Sequence, residues 1–182
     1  VTARYFNMPT STLGAASQPG QELFGIEATN GGLVIFGGGE LLIRDNVGYR
    51  AGIHMKAYKE QQPLIMVGGM AGSFLAEYQA GGTIIVLGLN NQEKPAPIGA
   101  LCCAGMHGGR LFLRCNSEPT DFDDHILVRR ATPEDMQSIE EHLQDFCKTF
   151  AVSYNDVMAK DFYVVTPNTS NPYQALYTKN CV

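Results

Sequence analysis

The chain has 182 residues, of which 45% are hydrophobic and 17% charged, enough to bury a core and typical of a globular domain. A net charge of −5 and a pI near 5.3 argue against nucleic acid and anionic membrane surfaces as partners, since both reward a basic patch. No apolar run approaches the length of a membrane span, and the first twenty residues lack the basic start and apolar core of a signal peptide, so the expectation is a cytoplasmic protein.

In chain order, glycine pairs alternate with short strand patterns. Gly38-Gly39 leads into Glu40-Leu-Leu-Ile-Arg44, Gly81-Gly82 into Thr83-Ile-Ile-Val-Leu87, and Gly108-Gly109 into Arg110-Leu-Phe-Leu-Arg114. Each stretch alternates with period two, which points Leu41, Ile43, Ile84, Val86, Leu111 and Leu113 inward. Glu40, Arg44, Thr83, Arg110 and Arg114 then point outward, onto a face expected to be wet. Glycine suits such corners because it takes positive φ without steric cost. Recurrence of this unit predicts a solenoid, and solenoids more often hold other proteins than do chemistry. The corner residues predicted are Gly39, Gly48, Gly52, Gly72, Gly82, Gly105 and Gly109.

Three outward positions break the polar rule. Leu42, Ile85 and Phe112 share one place in their units, and strands stacked roughly 4.8 Å apart would align them as an apolar stripe. The stripe is either scattered surface residues, or a strip covered by a partner or by the chain's own C-terminal segment. Taken as an interface with a partner, it is joined by a polar rim at Arg50, Lys56, Tyr58, Glu77 and Tyr78, and Phe112→Asp is expected to weaken assembly while leaving the fold intact.

The five cysteines, Cys102, Cys103, Cys115, Cys147 and Cys181, form no C-x-x-C pair. Cys102 and Cys103 are read as small buried residues, with a redox-active vicinal pair as the alternative. His54, His107, His125 and His142 are not spaced as metal ligands, and a buried, hydrogen-bonded histidine is favoured over a catalytic base. The glycines open into strands rather than helices and no G-x-x-x-x-G-K-[ST] occurs, which disfavours phosphate binding by the glycine loops.

Further along, Thr132-Pro-Glu-Asp135 provides an N-cap, an N1 proline and an acid at N3. Met136, Ile139, Leu143, Phe146, Cys147 and Phe150 follow at helical spacing, which predicts one amphipathic helix to Phe150. It would lie across the exposed end of the solenoid as a cap, or dock on a separate subunit. Residues 166–177 read as an extended tail anchored by Tyr173 and Tyr177.

The wording of three segments carries a resemblance. Val47-Gly-Tyr-Arg-Ala-Gly-Ile-His-Met-Lys-Ala-Tyr58, Gly72-Ser-Phe-Leu-Ala-Glu-Tyr-Gln-Ala-Gly-Gly-Thr-Ile-Ile-Val-Leu-Gly-Leu89 and Gly105-Met-His-Gly-Gly109 resemble the GXGXG domain of glutamate synthase, the C-terminal domain of its large subunit, and more narrowly the stand-alone subunit that carries it. The likeness is close over residues 38–115 and weaker toward Asn171-Pro-Tyr-Gln-Ala-Leu-Tyr177. It implies an all-β solenoid, a single-stranded right-handed parallel β-helix, over residues 1–130 with irregular or incomplete first coils over 1–37, and a helical cap and tail over 131–182. It also implies a non-catalytic subunit of an oxidoreductase complex in glutamate biosynthesis and nitrogen metabolism. Partners would be glutaminase (amidotransferase) and flavin-containing synthase subunits, with a homo-oligomer as a further possibility; FMN and an iron–sulfur cluster would sit on those partners and no cofactor on this chain. Asp45, Ala76, Cys103 and Cys115 stand where that family usually has glycine, and Ser73 where it has aspartate.

Two other readings stay open. One is a scaffold subunit of a formylmethanofuran dehydrogenase-like or N-methylglutamate synthase-like complex. The other is an independent enzyme using Arg50, His54, Glu77 and His107 on the outer wall, residue types suited to acid and base work.

Overall fold

The computed structural model describes residues 2–4, 25–29, 32–37, 39–57, 60–91 and 94–168, and for residues before 39 the backbone alone. Among the described residues, ten strands and two helices run in the order β1 (Thr2–Arg4), β2 (Gly25–Thr29), β3 (Gly32–Gly37), β4 (Glu40–Ile43), β5 (Lys56–Ala57), β6 (Leu64–Val67), β7 (Ala80–Val86), β8 (Gly108–Cys115), β9 (Ile126–Arg130), α1 (Pro133–Phe150), α2 (Tyr154–Val157) and β10 (Asp161–Pro167). Seven strands form one sheet in the order β1-β4-β6-β7-β8-β10-β9, and β2-β3-β5 form a second.

The strand pairing corrects the expected fold class. β4, β6, β7 and β8 are parallel, but β1 closes one side antiparallel to β4, and β10 closes the other antiparallel to β8 with β9 beyond it. The small sheet is mixed as well, since β2 and β3 are antiparallel and β3 and β5 parallel. The sheet is therefore mixed, neither coiled nor closed, and the chain is not an all-β, single-stranded right-handed parallel β-helix. Unequal spacing is the reason: Glu40 stands opposite Leu64, Leu64 opposite Thr83, and Thr83 opposite Arg110, so no constant period drives a coil. The chain then reverses to fill both edges. β10, from the segment read as cap and tail, lies between β8 and β9, so Asp161–Pro167 share one sheet with the strands that precede them.

Two apolar layers flank the parallel strands. On the inner face Leu41, Ile43, Ile65, Val67, Ile84, Val86, Leu111 and Leu113 pack with Ala51, Met55, Leu75, Ala76, Cys103 and Met106 from the connecting turns. On the outer face Leu42, Met66, Ile85 and Phe112 pack under Ile139, Leu143 and Phe146 of α1 with Val157, Phe162 and Val164. All four β6 residues are buried, as a strand covered on both faces requires. Burial of a large side chain in either layer contributes about 1.5–3 kcal/mol.

Helix α1 begins where its sequence signal places it. Thr132 Oγ1 accepts from the Asp135 backbone N–H at 3.3 Å, Asp135 Oδ2 accepts from the Thr132 N–H at 2.8 Å, and Pro133 occupies the first turn. Arg129, bonded to the Asp135 carboxylate through both terminal guanidinium nitrogens, holds that carboxyl well below the usual range. The helix ends at Ala151, whose φ of 54° is left-handed and whose N–H donates to the Cys147 carbonyl. It does not cap an end of the molecule; it lies along the outer face of the sheet.

That placement overturns the wet-face expectation. Leu42, Ile85 and Phe112 are each 0% exposed, so the stripe has an intramolecular occupant, α1, and is no surface for a separate subunit. The charged neighbours adapt to the covering layer. Glu40 bonds His142 of α1 at 2.8 Å, Thr83 is buried, and Arg110 reaches Ser138 of α1. Arg114 is 6% exposed and donates to the carbonyls of Val157 (2.6 Å), Asp156 (2.6 Å) and Leu87 (3.0 Å), tying α2 to the sheet. Burial lowers its pKa, against the opposing charge of Asp156. Thr166 and Pro167, read as tail, complete β10; residues 169–182, including Tyr173, Tyr177 and Cys181, lie outside the described residues.

Candidate functional site

The segments that join β4 to β6, β6 to β7 and β7 to β8 stack on one another through backbone hydrogen bonds. Arg50 N donates to Ser73 O, His54 N to Glu77 O, Phe74 N to Ala100 O, and Tyr78 N to Ala104 O, all within 2.9–3.0 Å. Ala76 N donates to Ala51 O and Cys103 N to Leu75 O. These bonds align three rows of residues with left-handed φ: Arg50 (60°), Phe74 (60°) and Leu101 (55°); Gly52 (68°), Ala76 (59°) and Cys103 (62°); His54 (51°), Tyr78 (54°) and Gly105 (66°). A non-glycine residue in this region costs roughly 1–2 kcal/mol, comparable to the 0.5–1.5 kcal/mol a backbone hydrogen bond contributes. Each turn therefore depends on its neighbours in the stack. Ala76 and Cys103, standing where glycine was anticipated, accept the strain, whereas Asp45 and Cys115 have no left-handed backbone to accept.

The predicted corner glycines divide in the same way. Gly39, Gly52, Gly82, Gly105 and Gly109 have positive φ; Gly48 and Gly72 do not. A Cβ on Gly72 would stand 2.7 Å from the Gly48 carbonyl group, whereas one on Gly48 would meet nothing within 4 Å.

The stack sets out a row of side chains at its surface, in which Glu77 is buried and paired with Arg50. Arg50 Nη2 lies 2.6 Å from Glu77 Oε2, with Nε at 2.8 Å, and this bond raises the guanidinium pKa. The guanidinium carbon sits 5.7 Å from the Tyr49 ring and 6.0 Å from the Phe74 ring, and these rings meet edge to face at 5.3 Å. His54 stacks on Tyr78 at 5.1 Å and 15°. Tyr49 is 49% exposed and Leu101 54%, large apolar surfaces left uncovered beside a fixed ion pair. Of the predicted rim, Arg50, Glu77 and Tyr78 come together here; Lys56 is exposed on β5, and Tyr58 lies outside the described residues. Tyr49, Phe74 and Leu101 were missed, although their spacing from Arg50 and Cys103 follows the repeat that the glycines mark.

The residues suggested for acid and base work are otherwise engaged. Arg50 and Glu77 bond each other, His54 faces Tyr78, and His107 Nδ1 lies 3.1 Å from the Gly105 carbonyl oxygen. The vicinal thiols are 3.7 Å apart and buried, and burial followed by the Cys102 contact pushes the Cys103 thiol well up. Burial likewise pushes the Cys115 thiol up to about 11. Such thiols are poor nucleophiles at neutral pH. Among the described residues, no group of three or more His, Cys, Asp and Glu side chains is placed to hold a metal ion, and no helix is long and apolar enough to cross a membrane.

A groove of about 510 Å³ lies where the Gly81-Gly82 and Gly109 corners meet α1. Its polar lining includes Gln62, Thr83, Arg110, Ser138 and His142. Gln79 beneath the corner is 0% exposed and donates to the carbonyls of Gly81 and Gly82 at 3.1 and 3.2 Å.

Stacked left-handed turns, backed by a buried parallel sheet and carrying an aromatic and ion-paired outer row, define a glycine-cornered domain. The sequence matches the GXGXG motif family over residues 26–170, and the chain belongs to that family as a glutamate synthase-related domain. An uncharacterized protein of Methanocaldococcus jannaschii is 36% identical over 140 residues, covering 73% of this chain and 53% of that protein. The chain thus spans about half the length of the curated relative it matches.

Proposed function

We propose that this chain is the non-catalytic structural component of a glutamate synthase-type assembly, and that the row Tyr49, Arg50, Phe74, Glu77 and Tyr78 is where a partner chain docks. The row itself carries the reading. Tyr and Arg are enriched where interfaces concentrate their energy, and side chains already fixed by an ion pair and ring contacts lose little freedom on binding. Lys56 extends the rim, and FMN and the iron–sulfur cluster belong to the amidotransferase and flavin-bearing partners. Family membership supports the type of assembly.

Isolation of the native complex tests the reading: a glutaminase-containing chain and a flavin-containing chain are expected to accompany this one. A Tyr49→Ala, Arg50→Ala double variant is expected to retain the fold and lose at least about tenfold in partner retention, since anchoring residues of this kind each contribute about 1–2 kcal/mol or more. Purification of the native chain with neither partner would refute it.

A further inference from the structure

The arginines of the described residues differ in what neutralises them. Arg44 bonds Asp45, Arg50 bonds Glu77, Arg129 bonds Asp135 and Arg130 bonds Asp161, while the buried Arg114 is satisfied by three carbonyls. Arg110 meets no carboxylate among the described residues. Its Nη1 donates to the Ser138 hydroxyl at 3.3 Å and its guanidinium carbon lies 5.5 Å from the Phe112 ring centroid. Both contacts are neutral, so they orient the charge without cancelling it. The Ser138 hydroxyl is itself held, donating to the Asp135 carbonyl at 2.6 Å.

Arg110 lines the groove where the glycine corners meet α1, whose volume of about 510 Å³ is that of a small-ligand site. Two other donors share it. Gln62 Oε1 accepts from the Gly82 N–H at 3.3 Å, which leaves its amide N–H groups with no partner among the described residues. His142 is oriented by its Nδ1 contact to Glu40 at 2.8 Å, so that Nε2 is the ring nitrogen not used by the fold. A half-buried guanidinium with a planar fork of N–H donors, flanked by an amide and an imidazole, has the chemistry of an oxyanion receptor. The chain's overall charge of −5 makes an uncompensated cation in a concavity the more distinctive.

We propose that this groove binds a small oxyanion, a carboxylate or a phosphate, on the Arg110 guanidinium, with Gln62 and His142 as supporting donors. The groove shares no lining residue with the docking row. Calorimetric titration of the full chain with inorganic phosphate, and separately with acetate, is expected to show one saturable site per chain for at least one of them. Phosphate binding the more tightly would assign a phosphate-bearing ligand, and acetate a carboxylate. Arg110→Gln is expected to raise Kd at least about tenfold and Arg110→Lys less, because lysine keeps the charge but not the fork. Amide NMR on the unsubstituted chain keeps the test open should a variant fold poorly: anion addition is expected to shift Gly82, Gly109 and Arg110. Absence of saturable binding by either anion, unchanged affinity in Arg110→Gln, or shifts confined to another region would each overturn the proposal.

Discussion

The two faces of the parallel sheet are both covered, yet they are closed by different physics. On the inner face the cover is the side chains of stacked turns, Met55, Leu75 and Met106 among them, and the left-handed rows of those turns are bonded backbone to backbone, so what fits at the corners is decided by φ and by the space for a Cβ. On the outer face the cover is side chain: α1 supplies Ile139, Leu143 and Phe146 to Leu42, Met66, Ile85 and Phe112, and the backbones need not approach. The inner layer therefore tolerates conservative change poorly at its corners, and the outer layer tolerates polarity poorly at its centre. The row of Tyr49, Arg50, Phe74 and Tyr78 stands on these stacked turns.

Substitutions can break this contrast, the largest effect coming from the outer layer. Phe112→Asp replaces a fully buried ring with a carboxylate among Ile139, Leu143 and Phe146 of α1, and is expected to cost more than about 4 kcal/mol and unfold the chain. Urea denaturation would show it; a folded variant impaired only in assembly would restore the stripe as a partner surface. Next comes Gly109→Ala on the inner side, where φ is 78° and a Cβ would collide with Gln79 Nε2 and the Gly82 carbonyl oxygen. It is expected to lose about 2 kcal/mol or more, whereas a loss below about 0.5 kcal/mol would mean that the corner relaxes freely.

A smaller effect tests the contact between the layers. Glu40 raises the His142 pKa, first by their hydrogen bond, with Glu141 and Asp145 adding to the field and burial opposing. A raised folded pKa stabilises the charged form, so the contribution is complete below the unfolded value near 6.5 and is lost as pH rises through the folded value. The pair is partly exposed, which limits the effect to under about 1 kcal/mol. Stability measured at pH 5.5 and 8.5 is expected to show a loss that Glu40→Gln diminishes; equal pH profiles would exclude the pair as its source. The smallest change is Gly48→Ala, where open space and ordinary φ predict neutrality or a gain of about 0.5 kcal/mol, in contrast to Gly109. A cost like that of Gly109→Ala would show that the two corners are alike.

Much of the inner layer was legible because period-two alternation after a double glycine is a local signal. Leu41, Ile43, Ile84, Val86, Leu111 and Leu113 all point inward, and the Thr132 cap and the end at Phe150 follow from helix chemistry within one turn. β6 was missed because Pro63 rather than a glycine pair precedes it, and β10 because its partners, β8 and β9, are distant in sequence. Of the candidate site, Arg50, Glu77 and Tyr78 were read from residue type, but their ring partners Tyr49 and Phe74 depend on the stacking register. Arg114 read as exposed because alternation assigns a face without saying what covers it.

By itself the sequence determined which residues of β4, β7 and β8 point inward, where α1 starts and stops, and, through its glycine wording, the family. Those are properties of neighbouring residues and of conformations that a few side chains allow. The antiparallel edges, the helix laid over Leu42, Ile85 and Phe112, and the absence of a carboxylate beside Arg110 among the described residues were decided by the tertiary structure. Each depends on which distant segment arrives opposite, and chain reversal, burial and charge pairing are energies of contact that no local pattern contains.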